Sequence, residues 1–148
     1  MLYPSRCVAC GRPYDDFLCE RCQAQLTPNL PPACPRCGAP MRELGDCRAC
    51  LNSDYAFDWA VCGGLYMGSV RRAVINLKFR RWRRAAEPLA RLLWEAFQYP
   101  AHAPLRQADA IVPVPIHPYR RAMRGFNQTE LIGQRLSHLS TVPMQTHW

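Results

Sequence analysis

The residues best suited to chemistry in this chain are its cysteines, and eight of the nine come in pairs. Cys7 and Cys10, Cys19 and Cys22, Cys34 and Cys37, and Cys47 and Cys50 are each three apart, with 8, 11 and 9 residues between successive pairs. Two cysteines at that spacing can turn both sulfurs onto one ion when the backbone between them makes a tight knuckle. Gly11 and Gly38 each follow such a pair, where a residue without Cβ lets the chain leave the turn. Zn²⁺ takes four thiolates tetrahedrally, so eight cysteines suit two structural sites. A closed site has no position for water or substrate. The chemistry is that of folding, not of catalysis.

Other thiol chemistries compete with this reading. Disulfides need an oxidising compartment, and the opening Met1-Leu2-Tyr3-Pro4-Ser5-Arg6 has no apolar run of the signal-peptide kind. A redox dithiol is usually a single pair near a βαβ unit. An iron–sulfur cluster also uses thiolates, but regular paired knuckles favour zinc. Consecutive sites, Cys7/Cys10/Cys19/Cys22 and Cys34/Cys37/Cys47/Cys50, close shorter loops than a cross-brace joining the first pair to the third, and are favoured on that ground. The ninth cysteine, Cys62, lies in an apolar segment and reads as a buried small residue.

Charge divides the chain. Residues 1–58 carry 6 arginines and 7 acids, net −1, and residues 59–148 carry 13 basic residues and 4 acids, net +9. Two Zn²⁺ on eight thiolates would make the first part more acidic still. The basic part therefore points toward phosphates, as nucleic acid or as a phosphorylated small molecule. Lys78 is the only lysine. It reads either as a residue with a specific role or as an ordinary solvated one. No stretch is long and apolar enough to span a membrane.

The elements that must position these residues follow from periodicity. Pro28–Pro32 is a stiff spacer between two ribbons of short β-hairpins. Arg6, Arg12, Arg21, Arg36 and Arg48 flank the cysteines, either to offset thiolate charge or to touch phosphate. Leu51–Asp58 is a linker, and Trp59–Tyr66 reads as a strand. Ser69 is a candidate N-cap for a helix over 70–79, whose apolar face is Val70, Ala73, Val74 and Leu77. That helix runs into Phe79-Arg80-Arg81-Trp82-Arg83-Arg84, a basic stretch with interleaved aromatics. It suits a nucleic-acid surface, or equally a solvated helix end. A helix over 88–98 has Pro88 in its first turn and a stripe of Leu89, Leu92, Leu93, Ala96 and Phe97. Ala110–Val112 has the pattern of a buried parallel strand ending at Pro113 and Pro115. A loop with Arg120, Arg121 and Arg124 follows. Asn127 and Glu130 then form a capping box for a helix over 129–139. A strand end, an arginine loop and a helix N-terminus converge there, as at anion sites of open α/β sheets.

These pieces together resemble the ComF, or competence protein F, family. The matching residues are the four cysteine pairs, Tyr66-x-Gly68, Leu77-Lys78-Phe79, Asp109-x-Ile111-Val112-Pro113-Val114-Pro115, and Arg120-x-x-x-Arg124-Gly125-Phe126-Asn127-Gln128. The resemblance covers essentially the whole chain. It implies a double zinc ribbon over residues 1–54 and the front portion of a type I phosphoribosyltransferase-like α/β domain, an incomplete parallel sheet, over residues 55–148. It implies a cytoplasmic setting, a link to DNA uptake, and single-stranded DNA or the uptake machinery as partners. By position, Lys78, Arg120 and Arg124 are candidate phosphate or pyrophosphate contacts, with Asn127 and Gln128 shaping the helix start beside them. Arg80, Arg81, Trp82, Arg83 and Arg84 are the candidate nucleic-acid contacts. Mg²⁺ and phosphoribosyl pyrophosphate belong only to a complete domain. This sequence departs from the transferase pattern. Its only adjacent acids are Asp15-Asp16, within the cysteine region, and Glu130 is the sole acid after Asp109. The expectation is a chain that stops before the ribose-binding acids and phosphate loop, with helix faces partly uncovered and no transferase activity of its own.

Overall fold

The computed structural model describes residues 5–29, 32–43 and 45–146. Leu30 and Pro31, in the middle of the expected spacer, lie outside these residues, as does the segment Met1–Pro4. The two cysteine regions repeat one local design. Cys7 N–H donates to Arg12 O and Gly11 N–H to Cys7 O; Cys34 N–H donates to Ala39 O and Gly38 N–H to Cys34 O, all at 2.9 Å. Gly11 and Gly38 adopt φ of 80° and 69°, the left-handed turn that their lack of Cβ permits. The second pair of each region opens a short helix, α1 (Glu20–Gln23) or α2 (Arg48–Leu51), with Cys19 or Cys47 at the N-cap.

Four longer α-helices follow among the described residues, with a 3-10 helix at Pro100–Gln107 between the second and third. The first is α3 (Gly68–Phe79), which buries Val70, Ala73 and Leu77 as its periodicity requires. Ser69 does not cap it. Met67 occupies the N-cap, and Ser69 is fully buried in the first turn. A turn through Arg81, at φ 59°, and a 3-10 turn at Arg83–Ala85 reverse the chain into α4 (Ala86–Phe97). The expected arginine loop is instead a helix, α5 (Pro118–Arg124), with proline in its first turn and Gly125 as a left-handed C-cap. Asn127 caps α6 (Gln128–Ser140) by accepting from Thr129 N–H at 3.1 Å. Glu130, the other half of the expected capping box, instead takes a two-point ion pair with Arg121. The main helix–helix packing is α4 on α6, with α3 against α4.

The first ribbon is part of the helical core. Val8, Leu18, Cys19 and Cys22 pack in one cluster with Val70, Leu77, Ala86, Leu89, Leu92 and Phe126. Asn76 fastens the two parts. It is buried on α3, and its side-chain amide donates to Val8 O at 2.9 Å and Ala9 O at 3.1 Å, inside the first knuckle. Its own carbonyl accepts from Arg80 N–H and Trp82 N–H, which sets the turn after α3.

The expected strands are reduced to single bridges. Trp59–Tyr66 is an extended strap that pairs at Gly64 with Pro28, and Trp59 and Tyr66 are exposed. The strap lies flat on α4 because Gly63 carries no side chain; a Cβ there would meet Leu93 N at 2.8 Å. Ile111 makes one parallel bridge to Met144, through Ile111 N–H to Pro143 O and Gln145 N–H to Ile111 O. Pro113, Pro115 and Pro143 lack N–H groups, which stops this ladder on both sides. Val112 is exposed, so the segment is not a buried strand among the described residues.

Replacing Asn76 with Ala should leave two buried carbonyls without their donor and destabilise the chain by about 2 kcal/mol. Urea unfolding followed by tryptophan fluorescence measures this, and zinc content should stay unchanged.

Candidate metal centres and basic face

The structure gathers the cysteines into consecutive fours. In each group the four sulfurs lie within 4.8 Å of one another. Individual Sγ separations are 3.8 Å for Cys10 and Cys19, 3.7 Å for Cys34 and Cys50, and 3.6 Å for Cys37 and Cys47. Tetrahedral zinc with Zn–S bonds of about 2.3 Å requires sulfurs about 3.8 Å apart. The donor set and the spacing therefore fit one zinc ion in each ribbon.

The local environment separates the thiols within each group. Burial pushes the Cys7 thiol up, but N–H groups of Cys10, Cys19 and Ala9 aimed at its sulfur outweigh this and bring it down to about 6. Burial, then the neighbouring sulfurs of Cys19, Cys10 and Cys7, push Cys22 up to about 12, against a hydrogen bond from Ser69 that lowers it. In the second ribbon Cys34 comes down to about 7 and Cys50 goes up to about 12, for the same opposed reasons. One sulfur in each group ionises readily and another resists. Four thiolates this close become stable together only around a cation.

Each site has a different surround. The first is set into the core on three sides: Cys7, Cys19 and Cys22 are buried while Cys10 is exposed, Ser69 contacts Cys22, and the Trp82 ring lies over Gly11, 3.1 Å from where a Cβ would be. The second is more open, with Cys37, Cys47 and Cys50 only partly covered. Asn29 is one link to it, donating to Gly38 O at 2.9 Å. Cys62 is exposed rather than buried, because the strap carries it along the outside of the second knuckle, beside Gly38. Its thiol is not among the four gathered sulfurs of that ribbon.

The basic stretch after α3 is an exposed turn in which three of the arginines are tied to backbone carbonyls. Arg81 Nη2 donates to Met123 O at 2.6 Å, Arg83 Nη2 to Gly125 O at 3.1 Å, and Arg84 Nη2 to Asp15 O at 3.5 Å. Arg83 stacks over Phe126 and Arg84 over Phe17, with 5.0 and 5.1 Å to the ring centres. Arg6 of the first ribbon donates to Gly11 O. A carbonyl fixes a guanidinium without neutralising it, and most of its five N–H groups stay available. Ser5, Arg6, Arg81, Trp82, Arg83 and Arg84 line one open groove between ribbon and turn, with no carboxylate in its lining. Arg80 is exposed but does not line that groove.

A second pocket adjoins it. Lys78, Phe79, Tyr119, Arg120 and Arg124 surround a space of about 360 Å³, and Arg81 lines both pocket and groove. The three separated phosphate candidates are thus brought together by α3 and α5. Arg124 also bonds Gln128 and lies 5.8 Å from the Phe79 ring centre. Asn127 faces elsewhere: its amide donates to Val114 O and its oxygen caps α6. The sequence did not single out Asn76 or place Ser69 beside Cys22; Arg6, one of the arginines flanking the cysteines, lies in the groove lining. A polar residue on the apolar face of α3 was the one available signal, at Asn76.

Elemental analysis should find two zinc ions per chain, one lost in Cys22→Ser, one in Cys47→Ser and none in Cys62→Ala. Cys22→Ser should also loosen the packing of α3 on α4, lowering thermal stability far more than Cys47→Ser, because only the first site lies inside the shared core.

Comparison with known proteins adds to this geometry. Residues 1–51 match the double zinc ribbon domain family. Over 143 residues the chain is 31% identical to competence protein F of Haemophilus influenzae, covering 93% of this chain and 62% of that protein. It is 36% identical over 107 residues to DNA utilization protein YhgH of Salmonella typhimurium, covering 71% of this chain and 47% of the relative. The YhgH protein of Escherichia coli is 34% identical over 106 residues, again with 47% of the relative covered. The chain spans less than two thirds of the length of these relatives. No solved structure matches. No helix among the described residues is long and apolar enough to cross a membrane. The N-terminal region is a double zinc ribbon, and the chain it begins is similar to proteins named for competence and for DNA utilization.

Proposed function

We propose that this chain is a zinc-ordered module that holds single-stranded DNA by its phosphates, serving DNA uptake or utilization. The observation that carries the reading is the groove shared by the first ribbon and the α3–α4 turn. Arg6, Arg81, Arg83 and Arg84 line it, each held on a backbone carbonyl that leaves its charge intact. Fixed cations with an aromatic wall at Trp82 match the needs of a sequence-tolerant single-strand site, where phosphates meet charge and bases meet a ring. The names of the similar proteins favour the same substrate. Arg80, exposed at the end of α3, adds charge beside the groove. The uptake machinery is the natural partner for such a module, in the cytoplasm.

A second reading is favoured by one observation, the convergence of Lys78, Arg120 and Arg124. In a phosphoribosyltransferase-like α/β domain such a cluster would face the pyrophosphate of phosphoribosyl pyrophosphate, with Mg²⁺. The single parallel bridge at Ile111 is compatible with the start of such a sheet. The pocket lining holds no carboxylate to grip ribose hydroxyls or a metal ion. Attraction of a polyphosphate without positioning of the sugar is not catalysis. The present chain should therefore release no pyrophosphate from phosphoribosyl pyrophosphate; turnover abolished by Arg124→Ala would overturn this.

For the first reading, the affinity of a short oligothymidylate should fall with salt. The log–log slope should be roughly 3, from four phosphate contacts at about 0.7 each on a single strand. Arg6→Gln should reduce that slope by nearly one contact with zinc content unchanged. A salt-independent affinity would reject the groove.

A further inference from the structure

The pocket beside the groove has a concentrated charge of its own. Its cations converge from two elements, Lys78 on α3 and Arg120 and Arg124 on α5. None of the three has an ion-pair partner among the described residues, whereas Arg121, on the same helix, is paired with Glu130 at 2.8 Å. The helix thus neutralises one arginine and leaves two others lining one pocket with a lysine, an arrangement that a bound anion would stabilise. The pocket also has an aromatic lip: Phe79 is 72% exposed and Tyr119 is 68% exposed. Large rings left in water beside unpaired cations fit a ligand that carries both a flat apolar face and concentrated negative charge. The volume of about 360 Å³ lies at the small end of ligand sites, the scale of one nucleotide.

We propose that this pocket receives the phosphorylated end of the single strand held in the groove. The inference rests on the groove reading above. Arg81 is the shared wall that would pass the strand from groove to pocket. An internal phosphodiester carries one charge, while a terminal phosphomonoester carries about −1.5 to −2 at neutral pH and three acceptor oxygens. Three converging cations match the second. The anchored arginines of the groove, spread along its length, match the first. Lys78, Arg120 and Arg124 hold the terminal phosphate, and Phe79 or Tyr119 stacks the last base.

The test compares three oligonucleotides of one sequence, with a 5′-phosphate, with a 3′-phosphate, and with hydroxyls at both ends, binding to the zinc-loaded full chain. One phosphorylated end should bind about tenfold tighter than the hydroxyl-ended strand, the scale of one charge-assisted contact. Lys78→Gln and Arg120→Gln should erase that difference. Arg121→Gln should keep it, and Arg6→Gln should weaken all three strands and keep their ratio. Equal affinities for the three strands, or a preference that survives Lys78→Gln with Arg120→Gln, would overturn the proposal while leaving the groove in place. If no strand binds, the groove reading fails, and titration with nucleoside monophosphates decides the pocket. Binding lost in Lys78→Gln supports a phosphomonoester site, and no binding by the unmodified chain overturns it.

Discussion

Four sulfurs held within 4.8 Å of one another in the first ribbon are the constraint on which the rest depends. Four thiolates this close repel, so a bound cation would stabilise the knuckle, and the free energy of metal binding would be folding free energy. That site is not an appendage. Cys7, Cys19 and Cys22 are themselves core residues, packed with Val70, Leu77 and Leu89. A chain of this size has little apolar surface to bury, so a metal that fixes one wall of the core is worth more here than in a larger domain. Asn76 extends the order outward. Its amide holds the knuckle, and its carbonyl holds the start of the turn that carries Arg81 and Trp82.

The turn itself has a cost. Arg81 sits at φ 59°, a conformation that disfavours a residue with a Cβ by about 1 kcal/mol or more. The bond from its guanidinium to Met123 O and the bond from Trp82 N–H to Asn76 O offset that strain. The same strain aims Arg81 across to α5, where it divides groove from pocket. The arginines of the groove are held by carbonyls where a stability-driven design would use carboxylates. Ion pairs would have cancelled the potential that attracts phosphate.

Beyond the ribbon core, α4 and α6 pack together, and the parallel bridge at Ile111 lies against Gly133 of α6. Next to this bridge Trp94, Phe97, Leu105, Ile111 and Leu136 line an apolar cavity of about 390 Å³.

Local features were legible in the sequence because they depend on residues a few positions apart. The cysteine spacing and the two glycines specify the knuckles, and both glycines take the left-handed φ they were read for. The periods of Val70, Ala73 and Leu77 and of Leu89, Leu92 and Ala96 specify the buried faces of α3 and α4, and Asn127 specifies the start of α6. Tertiary structure decided what distant residues do to each other. Arg81 reaches a carbonyl 42 positions away, and Asn76 one 68 positions away. Ser69 had the type of a cap but was drawn into the core beside Cys22, and Cys62 had an apolar neighbourhood in sequence but an exposed one in space. The segments 59–66 and 110–112 had the composition of strands, yet a strand exists only where a partner offers a ladder. Prolines and the close approach at Gly63 left each with a single bridge. Side-chain type and spacing set what a segment can form; the partners that satisfy its hydrogen bonds and charges are chosen only when the chain has closed on itself.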